Sequence, residues 1–172
     1  MSPPTMEPPS AAFDALYREC AGDVFAYVRT LLRDDQAAED VTALAFERAY
    51  RRRDRFDPGR GTPRAWLFTI ARNAALDDLR RRGRTTSLDH EVADDAPAGD
   101  PVASAERAAR RAEVRAALGR LSARDREIVA LKFFAGLDNA ELAEVLGVSE
   151  SNAGTKLHRA MTKLRRACDV TA

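Results

Sequence analysis

Apolar residues recur at steps of three and four along most of the chain, which is the period of a helix that buries one face. In the first segment these positions are Phe13, Leu16, Tyr17, Cys20, Val24, Val28, Leu31 and Leu32. After a polar turn at residues 33–36 they are Val41, Leu44, Ala45 and Ala49, flanked by Phe46 and Tyr50. No stretch of the sequence alternates apolar and polar residues as a strand would. The pattern therefore predicts an all-α fold.

A third helix is predicted after the loop at residues 55–62, whose sequence RFDPGRGT contains one proline and two glycines. Thr62 is a suitable N-cap, because its hydroxyl can accept a backbone N–H, and Pro63 suits the first helical position. The inward positions of this helix are Trp66, Leu67, Ile70, Ala71, Ala74 and Leu79. We expect Gly83 to end the helix.

Apolar spacing and capping residues predict four more helices in the C-terminal part of the chain. The residues that mark them are, in order, Val114, Leu118, Leu121, Ser122, Gly136, Asp138, Glu141 and Ser149. Asp138 and Glu141 have the three-residue spacing of a capping box, and we expect Gly136 to close the helix before it.

Composition divides the chain into two small helical domains and two irregular segments. Residues 1–12 hold four of the eight prolines and predict a disordered tail. Residues 85–106 contain six acidic residues, two prolines and no basic residue, which is typical of a flexible acidic linker. The helical domains are therefore expected at residues 13–84 and 107–172.

Charge is segregated along the chain, although its net charge is only +1. The first 45 residues carry −5, residues 46–84 carry +7, residues 85–106 carry −6 and the remainder carries +5. Two basic blocks separated by an acidic spacer are typical of a protein that faces nucleic-acid phosphates. Composition alone is equally consistent with solvated helix faces.

Several classes of protein are excluded by what the sequence lacks. The longest apolar run is far shorter than the roughly 18 residues of a spanning helix, and the N-terminus has no signal-peptide pattern, so we expect a cytoplasmic protein without membrane insertion. The two cysteines and two histidines are scattered, which predicts no metal site. Asp77 and Asp78 are accompanied by neither a nucleophile nor a phosphate loop. We therefore expect neither an enzyme nor a cofactor.

The segment at residues 139–158 has the pattern of a helix-turn-helix. Ala143 and the turn residue Gly147 allow two helices to cross closely. The inward positions are Leu142, Leu146, Val148, Ala153 and Leu157, and the outward positions are Glu150, Ser151, Asn152, Thr155, Lys156 and Arg159. Hydrogen-bonding groups followed by cations suit a helix that enters the major groove, and Lys163, Arg165 and Arg166 could neutralise phosphates. A helical hairpin with a cationic surface is the alternative.

The third helix carries a second polar face. Asn73, Asp77 and Arg80 are spaced at i, i+4 and i+7 beside the glycine-containing loop. Polar side chains next to an irregular loop suit splayed single-stranded bases. Trp66 lies on the apolar stripe and is expected in the core, whereas for Phe68 both packing and base stacking stay open.

Both motifs together resemble a bacterial sigma factor of the extracytoplasmic-function (ECF) class, in the sigma-70 family. The resemblance covers residues 13–168 and lies in two segments in the expected order. The first is AEDVTALAFERAYRRRDRFDPGRGTPRAWLFTIARNAALDDLRRRGR, and the second is LSARDREIVALKFFAGLDNAELAEVLGVSESNAGTKLHRAMTKLRR. It implies that residues 13–84 form sigma region 2 and residues 107–172 form sigma region 4.

The resemblance also implies roles for particular residues. Those implied to contact the clamp helices of the largest RNA polymerase subunit are Asp40, Thr42, Phe46 and Arg48. Those implied to bind unpaired bases of the minus-ten promoter element are Arg55, Asp57, Arg60, Arg72, Asn73, Asp77 and Arg80. Those implied to bind the minus-thirty-five element as duplex are Ser151, Asn152, Thr155, Lys156, Arg159 and Lys163. Further implied partners are the flap of the second-largest subunit and an anti-sigma factor, while the linker would thread toward the polymerase active centre.

Two residues depart from the family pattern. Leu44 stands where members usually carry an acidic residue, and it either loses a polymerase contact or packs in the core. Gly154 stands where many members carry a lysine, which removes one expected phosphate contact; alternatively, the missing side chain lets the backbone approach DNA closely. Two functions other than that of a sigma factor also fit the sequence. One is a free-standing helix-turn-helix repressor, and the other is a helical adaptor that binds only proteins.

Overall fold

Seven α-helices and two short 3₁₀ turns form the part of the chain that the computed structural model describes, residues 10–83 and 101–169, and these ranges contain no strand. The helices are α1 (Ser10–Leu32), α2 (Asp35–Arg51), α3 (Pro63–Gly83), α4 (Pro101–Arg120), α5 (Ala123–Phe133), α6 (Asn139–Leu146) and α7 (Glu150–Asp169). The 3₁₀ turns, Arg53–Arg55 and Pro58–Arg60, lie between α2 and α3. The all-α prediction is confirmed.

Helices α1, α2 and α3 form the first bundle around a core of fully buried side chains. Tyr27 of α1 and Phe68 of α3 meet edge to face, with ring centroids 5.6 Å apart. Burial leaves Phe68 unable to stack on a base in this arrangement. Trp66 is partly buried against the same core and packs on Phe56, with ring centroids 5.5 Å apart.

The predicted capping residues begin their helices as expected. The hydroxyl of Thr62 accepts the Ala65 N–H at 3.1 Å, and the hydroxyl of Ser122 accepts the Asp125 N–H at 3.1 Å. Asp138 and Glu141 form the complete capping box of α6. Each cap satisfies a backbone donor that the helix itself leaves unpaired, which explains why local sequence determined these boundaries.

Two residues that the apolar pattern placed inward are exposed. Tyr17 is 50% exposed and only the edge of its ring meets Phe46, at a centroid distance of 4.8 Å. Leu44 is 36% exposed, because it lies just outside the arc of α2 that buries Val41 and Ala45. The core alternative for Leu44 is therefore wrong.

Two helices begin earlier than the sequence predicted. Helix α4 starts at Pro101, inside the segment 85–106 assigned to the linker, and α1 starts at Ser10, inside the predicted tail 1–12. The alanine-rich sequence after Pro101 favours helix, and proline is tolerated in a first turn. The rest of the predicted tail and linker, including His90, lies outside the described residues.

Helices α4 to α7 form the second bundle, and it packs directly against the first. Its buried side chains include Leu131, Leu137 and Leu142. Helix α1 contacts α5, and α3 contacts α6, so the buried residues of both bundles belong to one contiguous cluster. The two predicted domains are thus in contact rather than merely tethered.

Gly154 lies within α7, which continues through it without a break. A Cβ built at this position would meet only the Asn139 amide nitrogen, at 3.7 Å, which is an ordinary van der Waals contact. Gly147, in contrast, ends α6 with a φ of 65°. The left-handed backbone conformation therefore favours glycine at position 147. At position 154 neither the backbone conformation nor the packing of the described residues requires glycine.

Replacing Gly154 with alanine should raise the free energy of unfolding by about 1 kcal/mol, because glycine lowers helix stability by that amount relative to alanine. Urea denaturation of the purified variant measures this difference. Gly147→Ala is the matched control and should be destabilising, since alanine in the left-handed region costs about 1–2 kcal/mol. A Gly154→Ala protein less stable than the parent would contradict the packing described.

Candidate nucleic-acid interface

The outward face of α7 carries the residues predicted to bind duplex DNA. Ser149 caps the start of the helix by accepting the Asn152 N–H at 3.2 Å, and the left-handed turn at Gly147 sets the angle between α6 and α7. Ala153 and Ala160 are fully buried on the opposite side. The six predicted residues, all exposed, are Ser151, Asn152, Thr155, Lys156, Arg159 and Lys163. One helix face thus presents hydroxyl and amide groups near its N-terminus and cations further along.

Lys163 is already paired with a carboxylate. Its ammonium lies 2.6 Å from Asp125 of α5, and the Ser122 hydroxyl also donates to Asp125, at 2.7 Å. The hydrogen bond from Lys163 lowers the pKa of the Asp125 carboxyl below its usual value, against the opposing effect of burial. Asp125 therefore stays ionised and competes with any phosphate for Lys163.

A second polar face lies on α3. Asn73, Asp77 and Arg80 are all exposed, as their spacing predicted. Asp77 joins this face to α2, since one of its oxygens lies 3.4 Å from Arg48 and the other 3.4 Å from Arg80. The structure thereby places a predicted polymerase contact, Arg48, next to predicted single-strand contacts.

The loop before α3 folds as two short turns. Asp57, a predicted base contact, accepts the Gly59 N–H at 2.9 Å and so has a structural role within the loop. Arg55 and Arg60 are exposed, without described partners that would restrict their guanidinium groups. These two cations are free to face a bound strand beside the α3 surface.

Arg72 lies apart from the other residues predicted to bind the minus-ten element. Its side chain leaves α3 about 100° around the helix from that of Asn73, and its Nε lies 2.5 Å from Glu127 of α5. Glu127 is only 7% exposed and also accepts a hydrogen bond from the Tyr27 hydroxyl at 3.4 Å. In this arrangement Arg72 contacts the second bundle.

The residues predicted to bind polymerase lie on α2 with different exposures. Asp40 is exposed, and Arg48 and Thr42 are partly buried. Phe46 is 6% exposed and meets Phe13 edge to face, with ring centroids 6.4 Å apart. Little of the surface of the Phe46 ring is therefore accessible to a binding partner.

Exposed aromatic rings beside Phe46 were missed by sequence reasoning. Tyr17 and Tyr50 are 50% and 44% exposed, and the Arg53 guanidinium lies 4.2 Å from the Tyr50 ring centroid. Their helical spacing matched the core pattern, so only their polar hydroxyls distinguished them from buried residues. These rings extend the predicted polymerase-binding face of α2 onto α1.

A cleft of about 420 Å³ separates the α7 recognition face from α3. The cations that line it are Arg72, Arg124, Lys156, Arg159 and Lys163. Asp125 and Glu127 line it as well, so the cleft wall carries an excess of positive charge. Its volume lies in the range of small-ligand pockets and is far too small for a DNA duplex.

Other chemistry is not supported by the side-chain arrangement of the described residues. No group of three or more potential metal ligands occurs in them. Cys20 is buried, where burial raises the pKa of its thiol, and Cys168 is exposed on α7. None of the described helices is long and apolar enough to cross a membrane.

Known proteins resemble the chain over both bundles. The family described as sigma-70 region 2 matches residues 16–85, and the family described as sigma-70, region 4 matches residues 111–164. The ECF RNA polymerase sigma factor SigL of Mycobacterium tuberculosis is 31% identical over 91% of this chain and 88% of its own length. SigK of Mycobacterium bovis is 29% identical over 94% of this chain and 88% of its own.

Two solved structures share the fold. The sigma factor RpoE of Bartonella quintana, in complex with the anti-sigma factor NepR, has a TM-score of 0.74 at 24% identity, covering 94% of this chain and 99% of its own. CnrH, in complex with the cytosolic domain of CnrY, has a TM-score of 0.68 at 26% identity, covering 96% of this chain and 92% of its own.

Replacing Lys163 with methionine should remove a pH-dependent contribution to stability. Because the pKa of Asp125 is depressed in the folded protein, this contribution is present above the usual aspartate pKa of about 3.9 and is lost as pH falls through the folded value. Urea denaturation at pH 7 and at pH 3 should therefore show a larger difference from the parent protein at pH 7 than at pH 3. Arg166→Met, on the same helix, is the control; an equal difference at both pH values would refute the assignment.

Proposed function

The chain belongs to the ECF sigma factors of RNA polymerase, and from that premise we propose how its two bundles divide the work of promoter recognition. Sigma factors of this family direct promoter-specific transcription initiation, and they are initiation factors rather than enzymes. The observation that carries the proposal is the pair of separate polar surfaces, one on α3 and one on α7. The first lies within the residues that match sigma-70 region 2 and the second within those that match region 4.

Region 4 is proposed to bind the minus-thirty-five element as duplex. The exposed Ser151, Asn152 and Thr155 occupy the first two turns of α7, where side chains can reach base edges in the major groove. Lys156, Arg159 and Lys163 follow, and they neutralise phosphates that fix the position of the helix. The flap of the second-largest polymerase subunit is the proposed protein partner of this region.

Region 2 is proposed to bind the minus-ten element as separated strands. Asn73, Asp77 and Arg80 form an exposed face with both donors and acceptors, and Arg55 and Arg60 add positive charge beside it. Extracting a base from the stack costs a few kcal/mol, which hydrogen bonds to its edges must offset. A mixed polar face supplies such bonds, whereas a purely basic face would bind only the backbone.

Region 2 is also proposed to dock on the clamp helices of the largest polymerase subunit through α2. Asp40 and Arg48 supply the charged contacts, and Thr42 lies between them. The exposed rings of Tyr17 and Tyr50 add apolar area next to these residues. Because Asp77 bonds Arg48, polymerase binding and strand binding share one side chain.

An anti-sigma factor is the proposed regulator of the chain. RpoE and CnrH, whose fold this chain shares, were solved in complex with the anti-sigma factor NepR and with the cytosolic domain of CnrY, respectively. The repressor and adaptor alternatives are less well supported, because neither accounts for the region 2 surface and the region 4 surface in one chain.

Binding to core polymerase provides the first test. The purified chain should co-purify with core polymerase at low salt and should direct run-off transcription from a genomic promoter library. By itself it should bind promoter duplex weakly. A tight complex with a palindromic operator in the absence of core would instead favour the repressor, and failure to associate with core would refute the sigma-factor role.

Two substitutions should separate the proposed surfaces. Lys156→Ala should weaken binding of holoenzyme to upstream duplex by a similar factor for all sequences and lower the salt slope of binding by about 1, because it removes one phosphate contact. Asn73→Ala should leave that binding unchanged and reduce strand opening about tenfold, as measured by permanganate footprinting, because one base-edge contact is worth about 1–3 kcal/mol. Each variant serves as the control for the other, and normal melting by Asn73→Ala would remove Asn73 from the minus-ten site.

A further inference from the structure

The cleft beside the recognition face of α7 is formed almost entirely by the second bundle. Ten of the eleven residues that line it belong to region 4, from Ser122 at the start of α5 to Lys163 of α7, and only Arg72 comes from α3. The cleft is therefore a concavity between the first turn of α5 and the exposed face of α7. Its volume of about 420 Å³ lies in the range of small-ligand sites.

The positive charges that line this cleft exceed the negative charges by three. Two of the five cations have a carboxylate partner, since Arg72 pairs with Glu127 and Lys163 pairs with Asp125. The other three cations form no ion pair with a carboxylate of the described residues, and they are Arg124, Lys156 and Arg159. Like charges around one small volume repel each other, so an anion placed between them is stabilised.

The chemistry of the three unpaired cations favours phosphate as the anion. A guanidinium presents a planar fork of N–H donors that can hold two phosphate oxygens, and an ammonium adds a compact positive charge. Arg124 lies in the first turn of α5, where the helix dipole also favours negative charge. One phosphate group carries a charge of about −1.5 to −2 at neutral pH, so two such groups balance an excess of three positive charges.

One part of the cleft lining is apolar. Ile128 of α5, Leu146 of α6 and Val148 in the following turn contribute to it, and Ile128 is only 3% exposed. An apolar wall next to cations suits an anion that also carries a nonpolar group, such as the base of a nucleotide. Inorganic polyphosphate would use the cations alone. The two kinds of molecule share linked phosphate groups, and that chemistry defines the ligand class.

We propose that the cleft between α5 and α7 binds a small anion with two or more linked phosphate groups, held by Arg124, Lys156 and Arg159. Lys156 and Arg159 are also the proposed contacts to promoter phosphates, so the bound anion occupies part of the surface that duplex DNA needs. A high concentration of the anion would then weaken recognition of the minus-thirty-five element. This consequence rests on the proposed function, whereas the site itself rests on the charge and shape of the cleft.

Asp125 limits the affinity of the proposed site. Its carboxylate accepts hydrogen bonds from the Lys163 ammonium at 2.6 Å and from the Ser122 hydroxyl at 2.7 Å, so a negative charge lies in the cleft wall. This charge repels an incoming phosphate and occupies Lys163. An amide of the same size removes both effects. Asp125→Asn should therefore strengthen binding of the anion, whereas Arg124→Ala should weaken it.

Isothermal titration calorimetry of the full chain with sodium tripolyphosphate and, separately, with ATP measures this binding. Arg124→Ala should bind each about fivefold more weakly than the parent, because an exposed charged hydrogen bond is lost, and Asp125→Asn about threefold more tightly. Arg18→Ala, at an exposed position of α1 outside the cleft, is the control with the same loss of charge and should bind like the parent. Tighter binding of ATP would identify a nucleotide as the ligand, and equal or tighter binding of tripolyphosphate an inorganic polyphosphate. No binding of either, or equal losses in Arg124→Ala and Arg18→Ala, would overturn the proposal.

Competition with promoter duplex tests the consequence for DNA binding. Tripolyphosphate should weaken the binding of parent holoenzyme to upstream duplex more than sodium chloride does at the same ionic strength, and it should affect Arg124→Ala holoenzyme less. Unchanged duplex binding by a parent protein that binds the anion would overturn the inhibitory role. If the parent chain failed to bind core polymerase at all, the proposed function would fail, while calorimetry would still decide whether the anion site exists.

Discussion

The buried carboxylate of Glu127 constrains how the two bundles can be arranged. An ionised group with 7% exposure needs a counter-charge, and the only described one within bonding distance is Arg72 of the other bundle. Tyr27 completes its surroundings, and its ring packs on Phe68 at the centre of the first bundle. A substitution at Glu127 therefore alters the surroundings of a core residue of region 2, although Glu127 itself belongs to region 4. The shared apolar cluster brings the two bundles together, and the Glu127 pair adds a buried polar contact that fits only one alignment of α3 with α5.

Some cations of the proposed DNA and polymerase surfaces have carboxylate partners within the chain. Asp125 holds Lys163, and Asp77 is shared by Arg48 and Arg80. Such exposed pairs are worth at most about 1 kcal/mol, so a DNA phosphate can displace the carboxylate at little cost. We expect such pairing to weaken nonspecific attraction to nucleic acid, because each paired carboxylate reduces the positive potential near its cation. It also makes binding depend on the combined effect of many weak contacts.

Local chemistry made much of the fold and the exposed face of α7 predictable. Caps such as Thr62 and Asp138 depend on neighbours three residues away, and the outward face of α7 follows from its period alone. Arg72 could not be placed in the same way. It is adjacent to Asn73 in sequence but about 100° away around α3, and its partner is 55 residues distant. Likewise, the exposure of Tyr17 and Leu44 depends on which arc of each helix its neighbours cover, and the apolar spacing alone did not determine that arc.

The early start of α4 changes how the two bundles can cooperate. Only residues 84–100 separate the described ranges, so the connection is 17 residues long instead of the 22 expected from composition. If the proposed surfaces on α3 and α7 act together, binding at one raises the effective concentration at the other, because both belong to one chain. Each surface then needs to supply only part of the affinity. On this proposal a glycine at 154, where many members of the family carry a lysine, is tolerable because α7 would not bind the promoter alone.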